Sequence, residues 1–143
     1  MTFLKSDHYI IDFRKNTKEH VGTFYATKEV EVQNARILLA SPGPAQPAIM
    51  KLEGQDLLGF KTYIEGNKSP ITTGRFLNSE YEEMIFESDL PDKGLNIEGV
   101  LSKISDKLFV STKTVKNKST GEKAAVIQEI ISIIDKDEYE KAT

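Results

Sequence analysis

The stretch NSEYEEMIFES, residues 78–88, decides how the rest of the chain is read. Ser79 is followed three residues later by Glu82, which fits a capping box. Acids crowd what would be a first helical turn, where the helix dipole favours them. Pro91 and Gly94 bound the segment on its far side. On this reading, residues 78–88 form one helix in a chain whose other segments have the pattern of strands.

Working back from there, LLGFKTYIEG (57–66) places Leu58, Phe60, Thr62 and Ile64 on one strand face, with Lys61 and Tyr63 on the other. AIMKLEG (48–54) reads as a shorter strand. EVEVQNARILLA (29–40) reads as the first, because Val30 and Val32 alternate with Glu29 and Glu31. SPGPAQP (41–47) separates those two, since its prolines cannot donate to a ladder. Gly74, Arg75 and Phe76 read as a loop leading into the helix. Working forward, residues 95–104, 108–116 and 124–134 read as three more strands. Ser105 and Asp106 turn the first into the second. NKSTGE turns the second into the third, with Gly121 free to take a positive φ.

Strands before and after a single helix imply a mainly β protein. Five to six strands would close into a small OB-fold-like barrel, with the helix between the third and fourth strands plugging one open end. The expected organisation is an N-terminal extension or arm (1–26), the barrel domain (27–135) and a polar, frayed tail (136–143). The arm carries two apolar clusters, Phe3 with Leu4 and Tyr9 with Ile10 and Ile11. They either pack on the parent domain or add a strand to a neighbour's sheet edge, which would make the protein self-associate.

Composition narrows the chemistry. A chain of 143 residues, 38% hydrophobic, is long enough for one domain with a real core. It holds no cysteine, so disulfides and thiolate sites are excluded. His8 and His20 are the only histidines, too few for a histidine-rich metal centre. GxGxxG, GxxxxGK[ST] and GxSxG are all absent, and the adjacent Glu82 and Glu83 do not share a helix face. No enzyme, cofactor or metal is expected. MTFLKSDHYIIDF lacks the apolar run of a signal peptide, and no segment approaches the ~20 apolar residues of a membrane span. The expectation is a cytoplasmic protein without a membrane partner.

Charge is segregated along the chain. Lysines 103, 107, 113, 116, 118 and 123 face only Asp106 and Glu122 over residues 103–123, although the whole chain carries −3. Edge lysines that prevent sheet-to-sheet association account for some of these. A surface that meets phosphate accounts for more. Rings accompany the cations. Tyr63 shares a strand face with Lys61, Phe76 follows Arg75, Tyr81 lies nearby, and Phe109 shares a face with Ser111 and Lys113, opposite Leu108 and Val110. Each ring has a place in the core as its alternative. Phe76 at a loop-to-helix join ordinarily packs inward, whereas Phe109 is expected outward.

Residues 90–134 resemble part of the bacterial single-stranded-DNA-binding proteins. KGLNIEGVL (93–101) has the form K-G-x-x-I-E-G-x-L. A lysine-bearing hairpin with TGEK (120–123) follows, and then QEIISII (128–134). In that family a Lys-Gly turn leads from the helix into a V-x-I/V-E-G-x-L strand, and a mobile hairpin leads into the last strand. The chain departs from the family in having no tryptophan and in ending EYEKAT. The divergent single-strand binders of phages and conjugative plasmids are the better comparison. The resemblance implies sequence-nonspecific binding of single-stranded DNA in conjugation or replication, with duplex DNA and RNA left open as partners. The expected contact residues are Lys61, Tyr63, Arg75, Phe76, Tyr81, Lys103, Lys107, Phe109, Lys113, Lys116 and Lys118. A β-barrel interaction or virion structural module, assembling through its arm, is the other reading.

Overall fold

The structure is a computed structural model that describes residues 2–12, 15–28, 48–64, 66, 68–90 and 94–143. Its strands are β1 (Thr2–Asp12), β2 (Thr17–Lys28), β3 (Ala48–Glu53), β4 (Gly59–Ile64), β5 (Thr72–Phe76), β6 (Glu83–Leu90), β7 (Leu95–Ser105), β8 (Leu108–Asn117) and β9 (Lys123–Ile134). One helix, α1 (Lys136–Ala142), follows. The strands form one antiparallel sheet in the order β2-β1-β9-β8-β7-β6-β5-β4-β3. From β3 onward each strand pairs with the next in sequence. The N-terminal hairpin β1–β2 then docks on β9.

The helix expected at 78–88 is not formed; a turn and then β6 take its place. The cap-like bond that forms comes from Asn78, not Ser79, and it closes only a turn. Asn78 Oδ1 accepts from the Glu82 amide at 3.0 Å. Tyr81 then takes φ 57°, which a helix cannot continue. The Leu77 amide donates to the Glu83 carbonyl at 2.8 Å and closes the β5–β6 hairpin. Beyond it Met84, Phe86 and Ser88 alternate with Ile85 and Glu87, a period of two that buries one side. The loop expected at 74–76 is the end of β5.

Two other expectations change. The described strands form an open sheet, not a small closed barrel plugged by a helix. The tail expected to fray is largely α1, where Asp135 Oδ1 accepts from the Glu138 amide at 2.7 Å and Tyr139 packs 5.1 Å from the Phe3 ring. The strand expected at 29–40 and the break at 41–47 lie outside the described residues.

Register assigns every strand residue to one of two faces. The inner face carries Leu4, Phe60, Phe76, Met84, Leu101 and Phe109, each 7% exposed or less and joined in one cluster. Met50, Leu52, Phe86, Ile131 and Ile133 pack around it. Phe60 and Phe76 lie 5.2 Å apart, centroid to centroid, and Tyr81 meets Phe76 edge-on at 4.9 Å. Two glycines make room. Gly74 lies opposite Phe60, and Gly99 opposite Phe86, so each ring packs where a Cβ would otherwise stand.

Two register shifts explain the most exposed aliphatic side chains. Val21 is the extra residue in β2 and Ile104 the extra residue in β7. A bulged residue has no partner opposite it, and these two side chains turn to solvent.

Candidate functional site

The expected rings do not converge on the surface. Phe76 and Phe109 are both in the core cluster, so neither is a platform for a base. Phe109 does share a face with Ser111 and Lys113, but it is the inner face. Tyr81 is half-buried against Phe76, and its hydroxyl donates to the Leu57 carbonyl at 3.3 Å. Only Tyr63 stands on the outer face with its ring partly open to solvent.

The lysines of the 103–123 hairpin do not form one patch either. Lys103 and Lys113 are on the inner face by register. Lys113 is paired there with Glu129, both side chains being largely buried. Lys103 lies 3.4 Å from Asp106, Lys116 3.0 Å from Glu98 and Lys118 3.0 Å from Asp89. Lys107 is exposed in the β7–β8 turn, at the opposite end of the hairpin from Lys118. Four of these six lysines are therefore paired with carboxylates, three of them on neighbouring strands.

What the fold does bring together is the outer face of β3, β4 and β5. Lys51 and Lys61 are directly opposite, and Lys51 Nζ lies 5.2 Å from the Tyr63 ring centroid. Glu53 lies 3.5 Å from Lys61. Arg75, half exposed on β5, is paired with Asp56. That guanidinium, together with the Leu58 amide, holds the Asp56 carboxyl below its usual value. Lys51 was not anticipated from sequence; it joins the group only through the β3–β4 register.

Beside this face lies a groove of about 590 Å³ across β5, β6, β7 and β8. Two transverse rows line it. One is Arg75, Ile85, Val100 and Thr112; the other is Thr73, Glu87, Glu98 and Thr114. Ile85 is 46% exposed and Val100 39%.

The arm residues occupy varied positions. Leu4 is in the core, and Phe3 packs on Tyr139. Tyr9 lies beneath Lys18 Nζ (4.4 Å) and beside His20 (5.1 Å). Ile11 is half-buried and Ile10 exposed. Because β1 is flanked by β2 and β9, it has no free edge to add to a neighbouring sheet.

Both histidines join polar clusters that the sequence did not signal. On the outer face, Asp7 Oδ1 accepts from Thr23 Oγ1 at 2.6 Å and from His20 at 3.2 Å, and the Thr23 bond holds its carboxyl below the usual value. On the inner face, His8 Nε2 shares a hydrogen bond with Ser6 Oγ (3.0 Å), lies 3.9 Å from Glu129 and packs on Phe24. Burial pushes His8 below the ordinary histidine value; Lys113 adds to that shift, while Glu129 opposes it. A lowered folded value means that the unfolded chain binds more protons near pH 6. The stabilisation is complete above the unfolded pKa of about 6.5 and is lost as pH falls through the lower folded value. Thermal midpoints should therefore drop between about pH 7 and about pH 5, and less so in His8→Gln. Parallel curves for the two proteins would remove His8 from the account.

Among the described residues no group of three His, Cys, Asp or Glu could hold a metal ion, and no helix is long and apolar enough to cross a membrane. No protein-family model matches the chain, and no curated protein matches it.

Proposed function

We propose that the chain is a non-enzymatic, sequence-nonspecific binder of single-stranded nucleic acid, and that its contact surface is the outer face of β3, β4 and β5. The observation that carries this reading is the partly open Tyr63 ring, with Lys51 above it and Lys61 and Arg75 on the same face. Single-strand binders need this combination, because bases stack on rings of any sequence while cations follow the phosphates. The likeness of residues 90–134 to single-stranded-DNA-binding proteins supports the class of ligand. The reading does not require an OB-type barrel, since an open sheet face also offers rings and cations to a strand laid across it.

The test is the anisotropy of labelled oligo-dT across a salt series. Log affinity should fall with log salt at about −0.7 per phosphate contacted, with few contacts expected. Tyr63→Ala should weaken binding by about 1–3 kcal/mol and leave the thermal midpoint nearly unchanged. A variant that loses stability but keeps its affinity would place the ring in a structural role.

The second reading, a protein-interaction or assembly module, is favoured by a separate observation. Ile85 and Val100, a directly opposed aliphatic pair, face solvent in the groove.

A further inference from the structure

Glu87 and Glu98 are directly opposite one another on β6 and β7, on the outer face. Like charges in a cross-strand pair destabilise a sheet. Their neighbours offset only part of this. Lys116 lies 3.0 Å from Glu98, but Glu87 accepts only from the neutral amide of Asn96, at 2.9 Å. Arg75, at the far corner of the groove, is engaged by Asp56. Among the described residues, then, the groove keeps one carboxylate that no cation neutralises, beside the aliphatic pair Ile85–Val100 that also lines it. A phosphate backbone is repelled by such a site. A cation on an apolar body is complementary to it.

We infer that this groove takes an extended peptide segment presenting a lysine or arginine beside aliphatic side chains. The cation sits against Glu87 and Glu98, and the aliphatic neighbours cover Ile85 and Val100. The threonine hydroxyls of Thr73, Thr112 and Thr114 line the groove as hydrogen-bonding groups for the peptide. The groove shares Thr73 and Arg75 of β5 with the proposed nucleic-acid face and is otherwise carried by β6, β7 and β8.

Two short fluorescent peptides test the inference on the full chain, one alternating valine with lysine and the other valine with glutamate. The lysine peptide should bind at least about tenfold tighter. Glu87→Gln should weaken that peptide by about tenfold while leaving the thermal midpoint unchanged or higher, because it removes one of two opposed charges. Val100→Lys should abolish binding. Equal affinity for the two peptides, binding of neither, or full affinity in Glu87→Gln overturns the inference. So does self-association that Val100→Lys abolishes, which would assign the groove to a second copy. Failure here is separable from failure of the nucleic-acid reading, because Tyr63→Ala should leave peptide affinity unchanged.

Discussion

Phe109→Ala is expected to cost about 3–5 kcal/mol of stability, the range for emptying a buried phenylalanine site. For a chain of this size that is roughly a 10–15 °C fall in thermal midpoint. The side chain is 1% exposed, lies opposite Ile131 on β9 and belongs to the cluster that joins Leu101 and Met84. Little relaxation is open to a ring held from several strands, so most of the cavity should persist. Oligo-dT affinity of the folded protein should not change. The opposite pattern, with lost affinity and kept stability, would return Phe109 to the surface and undo the assignment of the inner face.

Gly74→Ala should be nearly as damaging, at about 3 kcal/mol. A Cβ at this position would overlap the Ile85 carbonyl oxygen and stand 2.6 Å from Phe60 Cζ. The carbonyl belongs to the paired strand and cannot move without disturbing the β5–β6 ladder. The Phe60 ring is fully buried against Phe76. Gly99→Ala makes a useful comparison. Its tightest neighbour is the Phe86 ring, which is only half-buried and can turn away. Urea midpoints should therefore fall further for Gly74→Ala than for Gly99→Ala. Equal losses would mean that the paired backbone, and not the ring, yields at both positions.

How much of this could be read from the sequence depended on whether the signal was local. At 57–66 the alternation placed Phe60 and Thr62 inward and Lys61 and Tyr63 outward, as found. The same alternation runs through residues 84–88, but the acids and the cap-like Ser79 argued for a helix, and a local cap does not reveal that the chain reverses one turn later. For Phe109 the grouping with Ser111 and Lys113 was right and the side was wrong. Two polar companions suggested solvent, yet Ser111 is buried and Lys113 is held by Glu129. The charge count along 103–123 was correct as arithmetic. It could not register that Glu98, Asp89 and Glu129 arrive from neighbouring strands. The His8 cluster is long-range throughout, since it exists only because β1 lies beside β9.

Among the described residues the strands number nine, and an odd number has a geometric consequence. Eight antiparallel junctions separate β2 from β3 across the sheet, so these two margins point the same way. Sliding one molecule sideways onto another would set parallel neighbours at the join, unlike any junction within the chain. Keeping the alternation demands a half-turn about the sheet normal, which matches β2 with β2 or β3 with β3. A ribbon of copies sharing one alternating sheet would therefore require two distinct self-complementary seams, and a single mutated margin would halt its growth at pairs.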